Sequence, residues 1–113
     1  MGSWLRFYPG GRRLCHEAAN SARERLGDLR DLSESEIGEL PECTDEEVEL
    51  TGHTVARITW HETKEDGSHW VVVQVWGTGF ILGSFMLAQE GFACSPGSRR
   101  ELEVEELLSG GFD

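Results

Sequence analysis

A chain of 113 residues suffices for one modest core, and a net charge of −11 disfavours partners recognised through their phosphates, because nucleic acid and anionic membranes demand Lys and Arg. No run of about 18 apolar residues offers a membrane span, and the N-terminus lacks the apolar stretch of a secretory signal. Cys15, Cys43 and Cys94 are odd in number and have no CxxC spacing, which fits a reducing, cytoplasmic setting better than a disulfide framework.

Trp4 to Tyr8 is a short aromatic run ended by Pro9-Gly10-Gly11, so residues 1–11 read as an arm: an edge strand or a tail that docks its aromatics. Arg12 to Leu26 reads as a helix, because Leu14, Cys15, Ala18, Ala19, Ala22 and Leu26 recur at i, i+3 and i+4. Gly27 is placed to end it as the C′ residue, with Leu29 and Leu32 extending the stripe if the helix runs on. Alanines in mid-stripe leave it shallow, so that a sheet bearing Trp and Val can approach closely.

Residues 31–52 read as an acidic connecting segment of short helical turns. It carries Asp31, Glu34, Glu36, Glu39, Glu42, Asp45, Glu46, Glu47 and Glu49, with no Lys or Arg. Ser33-x-x-Glu36 has the form of a capping box, with Leu32 and Ile37 placed for a hydrophobic staple, and Thr44-x-x-Glu47 is a second candidate cap beyond Pro41. No internal repeat or low-complexity linker divides the chain, so a single domain is expected.

His53 to Leu87 holds most of the large apolar side chains. Asp66-Gly67 suits a two-residue type I′ loop between two β-rich runs, and that closure pairs Ile58 with Val75 and Trp60 with Val73. Gly77-Thr78-Gly79 is a turn signal, after which Phe80 to Ala88 reads as a third strand. Pro96-Gly97 marks a further turn, and Glu101 to Leu108 fits either strand or helix. With Ile58, Trp60, Val71, Val73 and Val75 given to the helix, the opposite face shows Trp70, Val72 and Trp76. A hairpin closed at Thr78-Gly79 adds Ile81, Phe85 and Leu87 to that face. A solvated face should alternate with polar residues, so these six residues are expected to be covered: by the C-terminal segment, by the arm, or by another molecule across an interface.

Three motifs bear on chemistry. Gly77 to Gly83 is GxGxxxG after an antiparallel hairpin, not the GxGxxG of a dinucleotide-binding unit. Cys94-Ser95-Pro96-Gly97-Ser98-Arg99-Arg100 resembles, over these seven residues, the phosphate loop of cysteine-dependent phosphatases, and the resemblance implies Cys94 as nucleophile and Arg100 as phosphate ligand. It departs from that pattern at Ala93, where a His is usual, and at Glu101, where Ser or Thr is usual and a carboxylate repels phosphate. His16, His53, His61 and His69 are scattered among the cysteines without zinc-ligand spacing, and His61 and His69 are not opposite each other in the expected register.

These readings converge on an α+β fold, an N-terminal helix packed on an antiparallel meander of three to four strands. The expected function is non-enzymatic: an acidic interaction or regulatory module that self-associates or binds a protein partner through its apolar sheet face. One form is an inhibitor or immunity-like factor whose nine carboxylates face a basic protein. No metal, cofactor, nucleic acid or membrane is expected. The alternatives are a phosphate-handling enzyme using Cys94 and Arg100, and a small-ligand binder walled by Trp60, Trp70 and Trp76.

Overall fold

In the computed structural model, which describes residues 11–79 and 83–109, the chain forms α1 (Gly11–Arg30), α2 (Glu34–Gly38), β1 (Cys43–Leu50), β2 (His53–Thr63), β3 (His69–Gly79), β4 (Gly83–Ser95), β5 (Ser98–Glu101) and α3 (Val104–Ser109). The strands make one antiparallel meander in the order β1-β2-β3-β4-β5, with α1 packed over β3 and β4. The class is α+β as expected, with five strands instead of three to four. No helix among the described residues is long and apolar enough to cross a membrane. The aromatic run Trp4–Tyr8 lies outside the described residues.

The α1 stripe buries Leu14, Ala18, Ala22, Leu26 and Leu29 against Val71, Val73, Val75 and Phe92. The helix does not stop at Gly27. A glycine in a helix interior costs about 1 kcal/mol, whereas burying a leucine contributes about 1.5–3 kcal/mol, and Leu29 is only 2% exposed. The C-terminal carbonyls find a partner from far along the chain: Arg99 of β5 donates to the carbonyls of Arg30 and Leu32. After it, Ser33 caps α2 through the expected capping box with Glu36, and Leu32 and Ile37 join the same core.

Cys43–Leu50 is a strand, not the helical turn expected from Thr44-x-x-Glu47. Its residues alternate, with Thr44, Glu46, Val48 and Leu50 half-buried and Cys43, Asp45, Glu47 and Glu49 exposed. Pairing with β2 outweighs the local capping signal. The β1–β2 hairpin closes through Thr51 (φ 48) and Gly52 (φ 76), the two positive angles of a type I′ loop.

The Asp66-Gly67 hairpin is present but closes differently. Lys64 C=O accepts from Gly67 N–H (3.0 Å), Lys64 N–H donates to Ser68 C=O (2.8 Å), and only Gly67 has positive φ (+86). This is a three-residue loop in which Gly67 takes the left-handed position after a type I turn. Asp66 Oδ1 holds it by accepting from the backbone N–H (2.9 Å) and hydroxyl (2.6 Å) of Ser68. The register therefore moves by one residue, pairing Trp60 with Val72 and Ile58 with Gln74. Because successive strand residues point to opposite faces, Ile58 and Trp60 lie on the face away from α1, and Val55, Arg57 and Thr59 turn toward it.

A bulge where Val75 pairs with Ala88 and Trp76 with Met86 makes Leu87 the extra residue of β4. Leu87 packs with the α1 core. Phe85, paired with Gly77, shares that side, since a Cβ on Gly77 would meet both rings and chains of Phe85 and Leu87. The expectation that Phe85 and Leu87 share a face with Trp70, Val72 and Trp76 is thus corrected, and Ile81 falls outside the described residues. The ambiguous C-terminal stretch splits into the end of β5 and the helix α3. Between them Leu102 N–H donates to Gly91 C=O (2.9 Å), and Leu102 and Leu107 cover Val72 and Ala93 beside Trp60 and Trp70.

Gly67→Val should cost about 1–2 kcal/mol, because a side chain at positive φ is strained and a β-branched one more so. Urea unfolding checks this; an unchanged midpoint would show that the loop closes in another conformation.

Candidate functional site

The face of the sheet away from α1 is the site that the residues build. At its centre is Gln74, 1% exposed, in mid β3. Its Oε1 accepts from the indole N–H of Trp60 (2.9 Å) and of Trp76 (3.0 Å), and its Nε2 donates to Gln89 Oε1 (2.7 Å). A buried carboxamide without partners costs several kcal/mol; here both tryptophans, one from β2 and one from β3 itself, satisfy it. Each indole also loses its freedom to turn, so the aromatic surface is held in a set orientation.

Segment α3 shields only one end of this face. Val72 is fully buried beneath Leu102 and Leu107, and Trp70 is half-buried with Lys64 Nζ 4.2 Å above its ring. Beyond that cover, Ala56, Ile58, Trp76 and Met86 remain half-exposed. On α3 itself Val104 (70% exposed) and Leu108 (73%) are separated by one turn and share a side of the helix.

Beside the apolar strip runs a charged one. Asp45, Glu47 and Glu49 on β1 pair with Ile58, Ala56 and Thr54 of β2 and share their face. They are exposed and have no ion-pair partner among the described residues. Spaced at alternate strand positions, about 7 Å apart, they make a row along the sheet margin. The other expected acidic residues are dispersed. Glu46 faces α1 and pairs with Arg57 (2.7 Å) and Arg25 (3.9 Å); the hydrogen bond from Arg57 holds its carboxyl below the usual range. Glu36 is engaged in the α2 cap, and Asp31, Glu34, Glu39 and Glu42 are exposed around α2.

Cys94 and Arg100 are not brought together. Cys94 is 1% exposed in the α1-facing core and pairs with Arg99, while Arg100 pairs with Ala93 and so points to the other face. Ser95–Ser98 is a tight hairpin around Pro96-Gly97, and Arg100 forms a two-point ion pair with Glu106 (2.8 and 2.7 Å) that draws the Glu106 carboxyl down to about 2. A phosphate cradle needs thiolate and guanidinium on one side of a loop, which this hairpin does not provide.

His61 and His69, expected apart, are in contact. In the observed register they are diagonal neighbours: His61 Nδ1 donates to Leu40 C=O (2.9 Å), leaving its Nε2 to accept from His69 Nδ1 (3.0 Å) when His61 is neutral. Among the described residues no three His, Cys, Asp or Glu side chains converge as a metal site.

Sequence reasoning found Trp70, Val72 and Trp76 and missed Gln74, Ile58 and Trp60 as part of this face. A Gln flanked by Val73 and Val75 on a strand carrying Trp76 two residues on was the available signal: a polar group there needs donors, and indoles supply them.

Gln74→Leu should destabilise by about 1–3 kcal/mol by leaving two indole N–H groups without an acceptor, and should alter the near-ultraviolet dichroism of the tryptophans. A neutral substitution with an unchanged spectrum would mean the indoles do not depend on it. Glu46, its folded pKa lowered, contributes stability that is full above the ordinary carboxylate range and lost as pH falls through the folded value. Thermal melts from about pH 6 to about pH 3 should therefore fall more steeply for the native chain than for Glu46→Gln; parallel curves would remove Glu46 from the acid response. Comparison with known proteins finds no family model, no curated protein and no solved structure that matches this chain.

Proposed function

We propose that this chain is a non-enzymatic interaction module, of an inhibitory or regulatory kind, that binds a basic protein on the sheet face away from α1. The observation that carries the reading is the row of Asp45, Glu47 and Glu49, without an ion-pair partner among the described residues, alongside the half-exposed strip of Ala56, Ile58 and Trp76. Apolar contact supplies affinity, and orientation of the tryptophans by Gln74 lowers the ordering cost of docking. The carboxylates select the partner and steer its approach. A second copy brings a further −11, so self-association on this face works against charge. Three free cysteines fit a cytosolic setting.

Affinity purification from the native host should recover a basic protein with the native chain. Trp76→Glu, and separately the triple charge reversal Asp45→Lys, Glu47→Lys, Glu49→Lys, should each weaken binding of that purified protein about tenfold or more while the fold persists by circular dichroism. Its association rate should drop several-fold between about 50 and about 500 mM salt. A partner retained by both variants would overturn the reading. So would a native chain that sediments as a dimer and becomes monomeric on Trp76→Glu, which would assign the face to a second copy.

A further inference from the structure

We infer that β1 is an open docking edge, which receives an extended segment of the basic partner as a sixth strand through main-chain hydrogen bonds. The inference builds on the proposal of a basic partner and specifies how that partner is held.

Strand β1 is the outermost strand of the sheet among the described residues. All eight of its residues pair with β2 in continuous register, and among the described residues α1, which lies mainly over β3 and β4, meets only the inner face of β1 and leaves its outer margin open. An edge of that length presents a row of main-chain donors and acceptors to solvent. Exposed edges are ordinarily blunted by charged side chains, Pro, a bulge or brevity. The opposite edge, β5, is blunted: it is four residues long, carries Arg99 and Arg100, and its Arg99 is drawn onto the end of α1. By contrast, β1 is eight residues long and contains no Pro and no bulge.

What β1 does have is charge of one sign. Asp45, Glu47 and Glu49 stand at alternate positions on one face, and on the other Val48 and Leu50 line a groove beside Glu17 and Glu24 of α1. Two copies of β1 laid edge to edge would set carboxylates against carboxylates, which disfavours self-pairing. A strand with Lys or Arg at every second position matches instead. Its cations fall opposite Asp45, Glu47 and Glu49, and its intervening apolar residues fall over Val48 and Leu50. The partner segment is thus defined as extended, with alternating basic and apolar residues.

The test uses the full chain and a blocked peptide of about nine residues alternating Lys and Val, a length that matches one strand. In the free protein, hydrogen exchange read by NMR should show fast exchange at every second β1 amide, and the peptide should slow those amides. An alternating Glu–Val peptide, and a Lys–Val peptide N-methylated throughout, should bind about tenfold or more weakly. The triple reversal Asp45→Lys, Glu47→Lys, Glu49→Lys should exchange the preference of the two unmethylated peptides. Equal binding of the methylated peptide would reduce the contact to charge alone and overturn the inference. Protection of all β1 amides before any peptide is added would show the edge already occupied, with the same result. Trp76→Glu separates the two proposals: edge binding should survive it. If the Lys–Val peptide fails to bind while the native partner still depends on Trp76, the docking edge falls and the proposed sheet face stands.

Discussion

The left-handed backbone at Gly67 decides more of this structure than any other local feature. With the Asp66 carboxylate holding Ser68, it closes the β2–β3 loop over three residues, and the register of the central hairpin follows. A one-residue difference in that loop would send Ile58 and Trp60 to the α1 side and return Arg57 and Thr59 to solvent. Instead Arg57 reaches under α1, donating to the carbonyl (3.2 Å) and hydroxyl (3.1 Å) of Ser21 while pairing with Glu46. The helix is thereby tied to the sheet by a polar contact at the flank of an otherwise apolar core. The α1 face gains hydrogen-bonded polar groups, and the far face gains Ile58 and Trp60.

That exchange gives the two faces different physics. On the α1 side, Ala18 and Ala22 let the helix sit close to Val71, Val73 and Val75, and the result is ordinary apolar packing. The far side is organised around one amide. Gln74 sits between two indoles whose N–H groups it accepts, so burial that would otherwise be unfavourable becomes a constraint on both rings. Leu102 and Leu107 cover one end, aided by the bare backbone of Gly91, where a Cβ would lie 2.6 Å from the Val71 carbonyl oxygen. A side chain at that position would press first on the backbone of β3 and then on Leu102.

Among the carboxylates behind the net charge of −11, two groups differ in what they do. Glu36, Glu46, Glu90, Glu101 and Glu106 cap a helix or pair with arginines, and they contribute to holding elements together. Asp45, Glu47 and Glu49 do neither, and their mutual repulsion along one strand is unfavourable for the isolated protein. A surplus of like charge beside oriented apolar surface has a physical use in recognition: it accelerates encounter with a basic surface and opposes association of like copies.

Short-range rules made several elements legible in the chain. The spacing of Leu14, Ala18, Ala22 and Leu26 specified α1 and its buried side, Ser33 and Glu36 specified the cap of α2, and Pro96-Gly97 marked the β4–β5 turn. Trp70, Val72 and Trp76 were recognisable as a second apolar face from their period of two. What depended on partners distant in sequence was not legible. Gly27 lies inside α1 because Leu29 finds a core and Arg99 finds the terminal carbonyls. Thr44 to Glu47 is strand because β2 is there to pair with it. Phe85 and Leu87 face α1 because a bulge opposite Val75 and Trp76 shifts β4 by one residue. Asp-Gly is compatible with loops of two or of three residues, so the choice between them, and with it the composition of both faces of the sheet, was left to the packing of the whole molecule.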